Sequence, residues 1–272
     1  MNWRAVRAIA RKDVKTSLQN KGVSIPLIVV PLLMLGLMPA LAAFAPALES
    51  MSGAPLAELE FLLGQMPAGL RESLAGLNEV QAITVLVLKY LMASMYLIVP
   101  LMVASVIAAD SFAGEKERKT LEALLYTPTT DREILVGKML GAWVPAVAVA
   151  WIGFLLYGTV ANVAAWRTMC CLLFPDAMWT VLALWVAPAV AGTGLGVTVL
   201  VSARVRTFQE AYQLGAVVVV PVLALVVGQA TGAMVFSVGL VLALGLVFWI
   251  IDAALLWVGG RAFQRDQIAT RL

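Results

Sequence analysis

Histidine is absent from the 272 residues, and cysteine occurs only as the adjacent pair Cys170 and Cys171. The first absence excludes imidazole acid–base catalysis and imidazole metal ligation. Adjacent cysteines suit neither a disulfide framework nor a tetrahedral zinc site, and read as small buried thiols. Charge is scarce as well: 13% of residues are Asp, Glu, Lys or Arg, against about 25% in a soluble domain. A phosphate loop is also missing. Gly137-Lys138 lacks both the upstream glycine and the following hydroxyl that such a loop requires. Gly192-Thr-Gly-Leu-Gly196 lies inside an apolar run with no strand before it. It reads as close helix packing through Gly192 and Gly196, with Gly137/Gly141 and Gly228/Gly232 as weaker instances.

What is abundant is apolar surface, at 62% of residues. No single water-facing core can hide that share, so soluble enzymes, nucleic-acid binders and disordered chains are excluded. The chain reads as an all-α integral membrane protein. A helical span needs about 20 mostly apolar residues, and six segments qualify: Val23–Phe44, Ala82–Ala109, Ile134–Val160, Met178–Val201, Ala211–Gly228 and Ala233–Val258. The first carries Pro26, Pro31 and Pro39 and is expected to bend or break. Gln229–Gly232 makes a tight hairpin between the fifth and sixth.

Basic residues sort to one side: Arg4, Arg7, Arg11, Lys12, Lys15 and Lys21; then Lys116, Arg118, Lys119, Arg132 and Lys138; then Arg204, Arg206, Arg261, Arg265 and Arg271. Only Arg71 and Arg167 fall opposite, among Glu49, Glu58, Glu60, Glu72 and Glu79. The positive-inside rule makes both termini cytoplasmic, and assigns the net charge of +3 to a membrane surface rather than a nucleic acid. Residues 1–22 are a basic, amphipathic stretch rather than a cleavable signal. Trp3, Val6, Ala10, Val14 and Leu18 form its apolar stripe, the pattern of a helix lying among lipid headgroups. The remainder, 23–272, is one six-span domain with an external segment at 45–81, cytoplasmic loops at 110–133 and 202–207, and a tail at 259–272. The external segment reads as two short amphipathic helices on the outer leaflet.

The loop at 110–133 is dense in charge. As a helix over Glu115–Leu125 it sets Glu115, Arg118, Lys119 and Glu122 on one face and Leu121, Leu124 and Leu125 on the other. Glu115–Lys119 and Arg118–Glu122 are then i,i+4 pairs. Glu117 falls in the apolar stripe, a position that calls for a partner. Both a solvated loop and a docking lever for a cytoplasmic protein fit this pattern. Thr130-x-x-Glu133 and Thr207-x-x-Glu210 read as capping boxes. Within the spans, Lys89 either snorkels outward or serves a pathway, and Asp252 either pairs with a cation or reaches the interface.

The run from Phe112 to Pro128, continuing through Arg132-Glu-Ile-Leu-Val-Gly-Lys138, resembles the signature of ABC transporter type-2 permeases, membrane subunits of bacterial and archaeal exporters. Its Glu-Lys-Glu form is similar to the sodium-efflux branch, though the external segment is small for that branch. Phe263-Gln-Arg-Asp-Gln267 resembles the family's tail. The resemblance implies the type V exporter fold in the plasma membrane, with two six-span halves, a second copy or a related permease, around a central path. It also implies that ATP and Mg are handled by a separate ABC ATPase subunit, this chain carrying no cofactor and no catalytic residue. Docking would fall to Glu115, Lys116, Glu117, Arg118, Thr120, Leu121, Glu122, Leu124 and Leu125, with Arg204 and Arg206 as a second contact. A membrane scaffold worked by a similar ATPase shares these features. A secondary transporter would need midplane binding groups and internal repeats, which the sequence does not display.

Overall fold

The computed structural model describes residues 1–43, 74, 76–120, 129–231, 234 and 236–262. Its elements are helical among the described residues. They run as α1 (Trp3–Gln19), α2 (Lys21–Ala43), α3 (Val80–Glu117), α4 (Asp131–Met169), α5 (Ala177–Ser202), α6 (Phe208–Gln229) and α7 (Val238–Gly259). The last six are each long and apolar enough to cross a membrane, and they overlie the six segments expected from hydropathy. The external segment up to residue 73, Leu121–Pro128 and the tail from Phe263 lie outside the described residues.

Burial divides the spans. α3 and α5 form the centre: 78% and 67% of their most apolar windows are enclosed, against 17–22% for α2, α6 and α7. Small side chains let the central helices close up. Gly194 lies so near α3 that a Cβ there would sit 2.8 Å from the Leu101 carbonyl. The outer helices display Ile25, Ile28, Leu223, Leu246 and Ile250, as a lipid-facing surface requires. α3 and α4 contain 38 and 39 residues. At 1.5 Å per residue each reaches roughly 57 Å, well beyond a hydrocarbon core of about 30 Å. Both therefore project out of the bilayer, and the charged end of the bundle is built on these projections.

The spans continue through their prolines. Pro31 and Pro188 cannot donate and crowd the carbonyl four residues back. Widened π turns stand beside them at Leu33–Leu37 and Leu182–Val186. Two further π turns occur in α3, at Leu86–Leu91 and Asp110–Gly114. A π turn spoils the regular ladder, and in three cases α4 supplies a replacement donor. The Trp151 indole donates to Ala183 O at 3.0 Å, the Tyr157 hydroxyl to Leu88 O at 2.5 Å, and the Lys138 ammonium to Ser111 O at 2.7 Å. At the far end Tyr157 stacks on Trp179 with centroids 4.4 Å apart, and Phe174 meets both rings edge-on.

Along α1, Trp3 and Leu18 are exposed while Val6, Ile9, Asp13 and Ser17 are buried, with α4 packed along the buried side. Gly137 and Gly141 open α4 to it, and a Cβ at Gly137 would lie 2.9 Å from Ile9 Cβ. Cys170 and Cys171 are exposed rather than buried, because Cys170 adopts φ 51° to end α4 at the surface. The helix expected over Glu115–Leu125 stops at Glu117.

Candidate functional site

That early stop shapes the charged end. Lys119 takes φ 56°, so the Thr120 amide turns back to Glu115 O at 3.0 Å and the Lys119 amide to Lys116 O at 3.1 Å. This is a Schellman ending with lysine where glycine is usual. It removes the i,i+4 geometry on which the Glu115–Lys119 pair depended, while Glu122 of the second expected pair lies outside the described residues. Glu115 instead points into the protein and is only 3% exposed.

There it joins a buried ionic network across three helices. Lys138 of α4 is fully enclosed. Its ammonium lies 2.6 Å from Glu115 Oε2 and 3.4 Å from Asp13 Oδ2. Ser111 donates to Asp13 Oδ2 at 2.5 Å. Lys12 pairs with Glu115 Oε1 and lies 3.2 Å from Asp13 Oδ1. Its burial favours the neutral amine, but Glu115 and Asp13 outweigh that and raise its pKa above the ordinary 10.5. One turn away Asp110 accepts from Ser17 at 3.1 Å, Asn20 at 3.1 Å and Arg118 at 3.0 Å. Two lysines facing two carboxylates leave the inner cluster close to neutral, the condition under which buried charge is tolerated.

Above the network the two predicted docking loops touch. Lys116 donates to Val205 O at 3.3 Å. Glu117 is solvent-exposed and accepts from the Phe208 amide at 2.9 Å, at the positive end of α6. That contact gives Glu117 a partner within the chain. Thr207 caps α6 by accepting from the Glu210 amide at 3.2 Å, while Glu210 reaches the Arg206 amide at 3.2 Å rather than that of Thr207. The Thr130–Glu133 box forms in full, and Glu133 also accepts from the Asn2 amide at 2.5 Å. Arg204 is exposed at the mouth of a crevice of about 900 Å³ between α5, α6 and α7. Leu121, Glu122, Leu124 and Leu125 fall outside the described residues.

The intramembrane candidates stand apart from this end. Lys89 pairs with Asp176 at 3.2 Å, just before the start of α5. Among the described residues no ion pair is formed by Asp252. It is buried against α5, where the Thr193 hydroxyl donates to Oδ1 at 2.6 Å. Gly192 and Gly196 face Asp252 and Leu255, which is the close packing that their spacing suggested.

Sequence reasoning missed Asp13, Asp110 and Lys138 as partners of the loop. The usable signal was their position: acidic residues on a helix otherwise basic or apolar, and a lysine one turn inside a span.

Six spans joined by a charged end define a multi-pass α-helical membrane protein. Residues 7–238 match the family described as ABC-2 family transporter protein. The chain belongs to that family. Over 78 residues it is 41% identical to the ABC transporter permease protein NatB of Bacillus subtilis (strain 168), a stretch amounting to 28% of this chain and 20% of NatB. The chain thus matches about a fifth of that relative's length. No solved structure matches.

Proposed function

We propose that this chain is the membrane-spanning permease of an ABC exporter in the plasma membrane, with both termini cytoplasmic. ATP and Mg are handled by a separate ATPase subunit seated on the charged end, and a second copy or a related permease completes the path. The observation that carries this reading is the joining of loops 110–133 and 202–207 through Lys116–Val205 and Glu117–Phe208. A partner docked there pushes on one braced surface. The buried Lys138–Glu115–Asp13 network then passes the load to α1, α3 and α4 together. Packing is bistable rather than soft, so such a unit moves as a body.

The test combines topology and assembly. In a background lacking Cys170 and Cys171, a cysteine at Val163 is labelled by an impermeant reagent from outside, and one at Lys119 is not. Cysteines at Lys119 and Arg204 cross-link to a co-expressed ABC ATPase, and hydrolysis requires both chains. Outside labelling at Lys119, or turnover by the purified chain alone, refutes the assignment.

A further inference from the structure

Where α4, α5 and α7 meet, a cleft of about 250 Å³ is lined by Met139, Trp143, Leu195, Trp249, Asp252 and Leu256 among others. Its walls are apolar except at Asp252. That residue is 6% exposed, and its Oδ2 has no hydrogen-bond partner among the described residues. Gly192 makes the room, since a Cβ there would collide with Oδ2. Trp249 Nε1 is also buried and unpartnered. Trp143 donates to Pro188 O at 2.9 Å, an anchor that fixes its ring. Leu256 at the rim is 53% exposed on the lipid-facing side of α7.

A carboxylate held out of water calls for a compensating positive charge. On α4, one wall of the cleft, Lys138 is already committed to Glu115 and Asp13. We infer that the cleft binds a compact organic ammonium arriving through the bilayer, its charge against Asp252 and its substituents against Trp143 and Trp249. Indole faces attract cations, most strongly where water is excluded. The apolar walls solvate alkyl or aryl groups. A bare metal ion would need several oxygen ligands, and the lining of the cleft offers one carboxylate. At about 250 Å³ the space is smaller than a typical drug site of ~300–1,000 Å³, which selects a single ring or a short-chain amine. The inference is independent of the ATPase reading, because binding requires no second chain.

The experiment uses the purified chain in dodecyl maltoside, an uncharged detergent, with radiolabelled benzyltrimethylammonium. Saturable binding is expected, weakened roughly tenfold or more by Asp252→Asn and less by Trp249→Leu. The carboxamide oxygen of the Asp252→Asn variant can still accept from Thr193, and an unchanged melting midpoint verifies the fold. Neopentylbenzene, the uncharged carbon isostere, should compete equally weakly against wild type and Asp252→Asn. If Asp252→Asn does not fold, Trp249→Leu decides, since it must weaken the cation more than the isostere. Absence of saturable binding, equal cation affinity in the variants, or displacement by sodium but not by other organic ammonium ions overturns the inference.

Discussion

At the base of α3 the buried carboxylates of Glu115 and Asp13 share the ammonium of Lys138, whereas in the α5–α7 contact Asp252 faces one hydroxyl. Both regions lie on long helices, and both use glycine to bring a neighbour close, Gly137 for α1 and Gly192 for Asp252. They differ in whether charge is closed within the chain. The first region is a finished structural joint in which each ion answers another. The second keeps a buried oxygen of Asp252 without a hydrogen-bond partner among the described residues.

The largest expected effect separates them directly. Lys138→Met keeps the volume but leaves Glu115 and Asp13 buried with Lys12, which is partly exposed, as their remaining cation. Stranding such charge costs about 3–5 kcal/mol. Folded yield and melting midpoint in detergent should fall sharply, and adding Glu115→Gln should recover part of the loss. Asp252→Asn, which retains the Thr193 contact, should cost less than about 1 kcal/mol. Comparable losses for Lys138→Met and Asp252→Asn would erase the distinction.

Next in size is the seam between α1 and α4. Gly137→Val forces a side chain into Ile9 and toward Val6 O, which would lie 3.2 Å from a Cβ alone. Overpacking of this kind costs about 1–3 kcal/mol. The expected readout is protease sensitivity of α1 with α3–α5 still protected. Loss of protection throughout would mean that α1 is not a separable brace.

These two predictions also mark what could be read from the sequence. The spans were legible because apolar runs of about 20 residues have few other uses, and Thr130-x-x-Glu133 was legible because capping boxes are local. Close packing at Gly192/Gly196 followed from spacing, while its partner, α7, came only from the structure. The loop after α3 was not legible. Mapping at 100° per residue assumes that the helix continues, and nothing in Lys119 announces a left-handed residue. It also assumes that Glu115 chooses a partner four residues away, when the partner is Lys138 on the next helix. The buried side of α1 was not legible for the same reason. Asp13 and Ser17 look like solvent positions until α3 and α4 bring Lys138, Ser111 and Asp110 to meet them.

A smaller effect tests whether the braced loops belong to the joint. Glu117→Lys removes the acceptor for the Phe208 amide and sets a cation at the positive end of α6. Lost capping and reversed charge there together cost about 1–2 kcal/mol. Hydrogen exchange should quicken at 206–210 while α3 is unchanged, and ATPase co-purification should weaken. Faster exchange with undiminished co-purification would leave Glu117 a cap and nothing more.

The smallest effect concerns Lys12, the exposed corner of the network. Glu115 and Asp13 hold its ammonium against the burial that opposes it, so its pKa in the folded chain stands above 10.5. A raised lysine contributes stability that is complete below the unfolded value and is lost as pH climbs through the folded one. Its side chain is 43% exposed, so solvent screening keeps the contribution below about 1 kcal/mol. The measurement is the difference in melting midpoint between wild type and Lys12→Met. That difference should be small and constant from neutral pH to about 10, then shrink at higher pH as wild-type Lys12 deprotonates. A difference that grows with pH would reverse the sign and require that folding favours the neutral amine. The network would then have to be satisfied without Lys12, with Lys138 alone balancing Glu115 and Asp13.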